Sequence, residues 1–296
     1  MLNRILFGMF LLLAVGTAQA QLNVVASTSN MGMLAQAVGG DHVSVRVLAP
    51  PDRDPHYLEV RPTMMVALRN ADLVVSVGAE LEMGWLPLAI DQSRNRGIQT
   101  GQRGYFEAAA QVDRLDEGAP ADRALGDVHP TGNPHVYMDP LRMGEVAQVL
   151  AERLADLDSE HAAYYRQNAE QFKERAAAHV EDWQQRAADA PGVVLFHEDA
   201  NYLMDLLDVP VLGYLEPVPG VPPTASHLRS LVRELQDRQG VIIYSGYHSS
   251  RGPDFLVDNL GWEAVVLPTN VELEGSADDY FDLLERWVQA LERVGD

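Results

Sequence analysis

The chain contains no cysteine. That excludes a disulfide framework and nucleophilic cysteine catalysis, so the core alone must hold the fold together. Basic residues are scarce: 22 Lys and Arg stand against 43 Asp and Glu, a formal net charge of −21. Such a surface repels nucleic acid and anionic lipid; it serves solubility, or it concentrates cations. Two hydrolase signatures are also missing. There is no G-x-S-x-G elbow, and "HEDAN" at 197–201 has Asn201 where a zinc-protease helix needs its second histidine. Beyond the first twenty residues no run approaches the length of about eighteen apolar residues that marks a membrane-spanning helix.

Those first residues, MLNRILFGMFLLLAVGTAQA, carry one charge at Arg4, an apolar run from Ile5 to Val15 and a small-x-small end at Ala18-Gln19-Ala20. The pattern predicts a signal peptide over 1–20, cleaved to leave a chain starting near Gln21. Removing Arg4 takes the net charge from −21 to −22. With no cysteine to accept an N-terminal lipid, the expected product is a freely soluble, monomeric periplasmic protein. Its roughly 275 residues fit two lobes better than one small core.

Two series of β-branched runs follow. The first comprises "LNVVAST" (22–28), "VSVRVLA" (43–49), "DLVVSVG" (72–78) and "GIQTG" (97–101); the second comprises "GVVLFHE" (192–198), "VPVLGYL" (209–215), "GVIIYSG" (240–246) and "EAVVLPT" (263–269). They are continuous rather than alternating, which suits strands of parallel sheets covered by helices on both faces. Helical patterns lie between them. In 226–240, Leu228, Leu231, Val232 and Leu235 recur at helical spacing, with Ser226 as the expected cap and Gly240 as the stop. Between the series, Asp139 to Ala190 is helix-forming: Pro140 opens it, Leu157-Asp158-Ser159 breaks it, and Glu160 to Ala188 holds neither Pro nor Gly. That last stretch predicts a helix roughly 40 Å long. The expected fold class is α/β: a signal peptide (1–20), an N-terminal lobe (21–157), one long rigid linking helix (158–190) and a C-terminal lobe (191–296). Residues 114–132 read as a polar surface loop.

Nine histidines are present. His42, His161, His179 and His227 sit in polar contexts and read as solvated. His56 and His135 each follow a proline, in "DPH" and "NPH", and His197 ends the strand-like run 192–198. The three come from three separate strand-end loops, two in the first half of the chain and one in the second; His56 and His197 leave the carboxyl ends of expected strands, where open α/β sheets bind ligands. Singly, each reads as an ordinary hydrogen-bonded loop histidine. Jointly, three imidazoles converging on the cleft between two lobes form a donor set suited to Zn²⁺. A zinc hydrolase with Glu198 as base is the enzymatic alternative, but only Arg53 and Arg251 lie near to stabilise an oxyanion.

"DPHYLEVRP" (54–62), "ADLVVSVGAELEMGWL" (71–86), "GNPHVYMDP" (132–140), the strand-end His197 and "LEPVPGVPPTASHL" (215–228) occur together and in order. They resemble the metal-binding solute receptors of zinc and manganese ABC importers (cluster A-I, zinc-uptake type) over nearly the whole chain after residue 20. The resemblance implies two α/β lobes joined by a long helix, one divalent metal held between them and delivered to a membrane permease, and no catalysis. It carries over His56, His135 and His197 as ligands. Many relatives have an aspartate after the last strand; here "VVLPTNVE" places Pro268 there. Manganese-type relatives use a glutamate at the position of Glu216, so Glu216 is expected to supply or support the fourth ligand. Asp54, His129, His248 and a water are the other candidates. The long His-rich acidic loop of many zinc receptors is missing; 114–132 holds only His129.

Three imidazoles and one carboxylate favour Zn²⁺ as the transported ligand, with Mn²⁺ or Fe²⁺ as the alternative. Neutral imidazole ligands also imply metal release on acidification. The expected partners are an ABC permease and, as a second candidate, a periplasmic metallochaperone; nucleic acid is excluded.

Overall fold

The continuous apolar runs form two four-stranded, all-parallel sheets in the computed structural model, which describes residues 21–118, 129–218 and 220–295. The first sheet contains β1 (Leu22–Ala26), β2 (Val43–Val47), β3 (Leu73–Ser76) and β4 (Tyr105–Glu107), in the order β2-β1-β3-β4. The second contains β5 (Val193–Leu195), β6 (Val211–Tyr214), β7 (Val241–Tyr244) and β8 (Glu263–Val266), in the order β6-β5-β7-β8. The two lobes therefore share one topology. Every residue of β3 and β5 is buried, as expected where helices cover both faces. The segment expected to be a signal peptide lies outside the described residues, and no helix among those residues is long and apolar enough to cross a membrane.

One expected strand is misplaced. Residues 97–101 do not pair; Arg96–Ile98 is a 3-10 turn, and β4 follows at Tyr105–Glu107. Asn95 decides this: its side-chain oxygen accepts from Gly97 N at 3.0 Å, capping the turn. Only Ile98 is apolar in that stretch, and it is buried as a turn residue. Most of the remaining polar loop (119–128) lies outside the described residues.

The first lobe carries α1 (Ser29–Gly39), α2 (Pro62–Arg69) and α3 (Leu86–Ser93). α4 (Pro140–Leu157) follows β4 and packs on α5 (Ala162–Ala187), the long helix that precedes the second sheet; α6 (Asn201–Leu207), α7 (Ala225–Leu235), α8 (Arg251–Leu260) and α9 (Ala277–Gly295) follow in and around that sheet. Asp139 caps α4, accepting from Leu141 N at 2.8 Å and Arg142 N at 3.1 Å, while Pro140 occupies the first turn, where no amide proton is needed. The cap of α7 is Thr224, not Ser226: its Oγ1 accepts from His227 N at 3.2 Å.

α5 has 26 residues, about 39 Å at 1.5 Å per residue. Tyr165, Ala169, Phe172, Ala176, Val180, Trp183 and Ala187 form its buried stripe at intervals of three and four. α4 crosses it closely at Gly144, where an added Cβ would lie 3.1 Å from Lys173 Cα. On another side α9 packs against it: Phe172 and Phe281 rings are 5.4 Å apart, and Trp183 Nε1 donates to Glu285 at 2.7 Å. One continuous apolar core thus runs from β1 and β3 through α4, α5 and α9 to β5 and β7. A second tie joins the lobes at the start of α1. Asn30 Nδ2 donates to Thr269 O at 2.8 Å, Asn30 Oδ1 accepts from Val271 N at 3.0 Å, and Ser29 donates to Val271 O at 2.6 Å.

Candidate metal centre

His56 hangs on the loop after β2. Trp85, fully buried, anchors that loop by donating to Pro55 O at 2.8 Å. Pro55 fixes its own φ, and the residue before it is held extended. Asp54 Oδ1 then accepts both His56 N at 2.9 Å and His56 Nδ1 at 2.7 Å. Burial acts to raise the Asp54 pKa, but hydrogen bonds and charge from His56 outweigh it and hold the carboxylate at about 2.

His135 is built by the same device. Asn133 Oδ1 accepts His135 N at 2.9 Å and His135 Nδ1 at 2.8 Å. Asn133 is itself fixed: Tyr202 OH donates to its carbonyl at 2.6 Å, and its Nδ2 donates to Glu198 O at 3.0 Å. Gly132 makes the turn at φ 104, where a Cβ would sit 2.8 Å from Arg114 Cβ. Burial, then repulsion from His197, His56 and His129, pushes His135 well below the usual histidine range. Its ring is a neutral donor.

His197 follows β5. The strand pairing continues past Leu195, with Leu215 N donating to Leu195 O at 2.8 Å and Glu216 N to Phe196 O at 3.1 Å. That register sets Glu216 beside His197, and Glu216 Oε2 meets His197 Nδ1 at 2.9 Å. The same oxygen accepts from Gly220 N at 3.0 Å. Burial acts to lower the His197 pKa, but Glu216, Asp199 and Glu198 overcome it and raise it to about 9.

The three rings meet. Centroid separations are 5.4 Å for His56–His135, 5.5 Å for His56–His197 and 5.2 Å for His135–His197. Their ligand atoms lie within 4.8 Å of one another, the one such group of three or more metal-binding side chains among the described residues. Each Nδ1 is engaged by Asp54, Asn133 or Glu216, which leaves each Nε2 as the available donor. His197 Nε2 is buried and makes no hydrogen bond, a costly state that a metal relieves.

The remaining candidates lie around this triangle. His129 Nε2 is 3.2 Å from His56 Nε2. His248 stacks on Phe196, centroids 4.0 Å apart, and burial lowers its pKa to about 4. Pro268 O accepts from Trp287 Nε1 at 2.9 Å, so the segment where relatives place an aspartate is tied into α9. Glu198 lies outside the close group, and Arg53 and Arg251 are exposed. The four histidines read as solvated are half-buried and engaged. His42 stacks on His161 at 3.5 Å, His161 bonds Asp158 at 2.6 Å, His179 stacks on Phe281 at 4.7 Å, and His227 meets Tyr214 O at 2.9 Å. The sequence reading gave Asn133 only a place in the turn before His135, not its bond to the ring, and it missed Asp199, which is buried and raised to about 6 by that burial despite the nearby His197.

A family model described as zinc-uptake complex component A, periplasmic, matches residues 24–294. The chain belongs to this family. The high-affinity zinc uptake system protein ZnuA of Yersinia pestis is 23% identical over 249 residues, covering 79% of this chain and 78% of that protein. The manganese-binding lipoprotein MntA of Bacillus subtilis is 29% identical over 177 residues, 57% of this chain and 53% of that one. The matches to it and to several streptococcal lipoproteins thus span about half of those proteins. Among solved structures, ZnuA superposes with a TM-score of 0.78 at 20% identity, covering 93% of this chain and 100% of that one. FpvC of Pseudomonas aeruginosa with Mn²⁺ gives 0.77 at 22% identity, covering 93% and 98%. These likenesses agree on the two-lobed fold.

Proposed function

We propose that this protein binds a divalent transition metal, Zn²⁺ first, in the periplasm, delivers it to the permease of an ABC importer, and catalyses no reaction. The observation that carries the reading is the triangle of His56, His135 and His197, with a buried, unbonded Nε2 on His197 and all three Nδ1 atoms held from behind. We assign Glu216 the supporting role, since its oxygen is committed to His197 and Gly220. A donor set dominated by imidazole nitrogen favours Zn²⁺ over the harder Mn²⁺. The runner-up, Mn²⁺ or Fe²⁺, draws its support from the relative named as manganese-binding.

The working division is a signal peptide over 1–20, lobes at 21–157 and 191–296, and the linking helix at 158–190. The protein acts as a soluble monomer without a lipid anchor, loaded from solution or by a periplasmic metallochaperone. The test is a competition titration of dialysed protein against a chromophoric chelator. One equivalent of Zn²⁺ bound more tightly than Mn²⁺ is expected; equal or tighter Mn²⁺ binding refutes the metal assignment.

A further inference from the structure

We infer that His129 is the fourth ligand, so that the centre is a four-histidine site with no carboxylate on the metal. This rests on the reading above, and it starts from what the triangle lacks. Three nitrogens leave one corner of a tetrahedron unfilled. Two of the carboxylates around it each have one oxygen turned to a histidine ring rather than to the open corner. Glu216 Oε2 holds His197 Nδ1 and Gly220 N, and Asp54 Oδ1 holds His56 twice. His248 is stacked flat on Phe196, with 7° between the planes. The segment after β8 offers Pro268, and its next residues are clasped by Asn30 through Thr269 O and Val271 N.

His129 stands at the open corner. Its Nε2 is 3.2 Å from His56 Nε2. Two nitrogens on one tetrahedral zinc, at about 2.0–2.1 Å each, are about 3.3 Å apart. The pair therefore already stands at the separation of two ligands of a common ion. The ring centroids tell the same story: 5.3 Å for His56–His129, like the 5.2 to 5.5 Å within the triangle, and 6.3 Å for His129–His135. A shift of about 1 Å toward His135 brings the His129 ring to the distance from His135 that His56 already has, a displacement within ordinary loop motion, and draws it toward the close group of His56, His135 and His197. Gly132 N donates to His129 O at 2.9 Å, closing a turn that places His129 and His135 on one loop.

Four neutral imidazoles leave the ion's double positive charge uncompensated in the first layer. Asp54, Glu216, Glu198 and Asp199 supply negative charge just behind them. Such a nitrogen shell selects Zn²⁺, Co²⁺ and Ni²⁺ over Mn²⁺ more sharply than a shell containing a carboxylate. His129 is also only half-buried, against 2% exposure for His135. With His56, which is half-buried too, it forms the more open side of the site, where an arriving ion is met first.

The test uses the full chain loaded with Co²⁺ and Zn²⁺, as wild type, His129→Ala and His135→Ala, with metal-free thermal melts as a folding control. X-ray absorption of the wild type is expected to count four imidazoles, and His129→Ala three with an oxygen donor, together with a changed Co²⁺ visible spectrum. Zinc affinity should fall by at least about 100-fold in His129→Ala, the upper end of what losing a merely orienting partner costs. Three imidazoles in the wild type, or an unchanged affinity and Co²⁺ spectrum in His129→Ala, overturns the inference. If His135→Ala loses zinc while His129→Ala does not, only the fourth ligand falls; if both bind as wild type, the functional reading falls with it.

Discussion

Asp54-Pro55-His56 and Asn133-Pro134-His135 are the same device used twice. In each, an Asx oxygen two residues before the histidine takes both its backbone N–H and its ring Nδ1. Proline removes a competing donor and holds the Asx extended. Asp54→Ala and Asn133→Ala are each expected to weaken zinc binding about 10- to 100-fold while leaving the fold intact, read by chelator competition and circular dichroism. His197 gains its partner from strand register, with a consequence for protons. Its pKa in the metal-free protein is raised to about 9, so below that pH zinc must displace a proton from it. Zinc binding at pH 7.5 should therefore release that proton into a weak buffer. Glu216→Gln removes the charge that raises His197 and should release less; equal release from both forms rejects this coupling. The three histidines were legible because each ends a strand or follows a proline. Of their Nδ1 partners, Glu216 and Asp54 were legible as residues of the site but not as the partners of His197 and His56, because a search for ligands passes over an Asx that acts on a ring, and no local pattern shows that β5 and β6 align His197 with Glu216.

At the scale of elements, the buried stripe of α5 does most to set the cleft. It ties the linking helix to α4 on one side and α9 on the other. Trp183 is fully buried, stacks on His179 at 5.1 Å and donates to Glu285. Trp183→Ala should cost about 3–5 kcal/mol of stability by leaving a cavity, measured by urea denaturation. Gly144→Val should cost about 1–3 kcal/mol, because its side chain meets the Lys173 backbone where the helices cross. The strands were readable from continuous apolar runs, and the helices between the two series from the 52 residues of Asp139 to Ala190 with a single break. The misplaced fourth strand and the Thr224 cap share one cause. Side chains of Asn95 and Thr224 bond nearby amides, and such local contacts decide where an element starts more sharply than apolar pattern does.

Over the whole molecule, two lobes of identical strand order share one core, with a clasp from Asn30 to Thr269 and Val271 as a second tie. A molecule so connected should unfold in one calorimetric transition, with calorimetric and van't Hoff enthalpies equal; two transitions would mean that the lobes melt independently. It should also close little around its ion, since the linking helices cannot bend without opening that core. Zinc at 1,000 times its Kd should add about 4 kcal/mol to stability. The central claim concerns one ion at one place, and diffraction at the zinc edge from metal-loaded crystals addresses it most directly. A single anomalous peak bounded by Nε2 of His56, His135 and His197 is expected. A peak elsewhere, or none at that triangle in protein shown to carry one equivalent of zinc, would contradict the account.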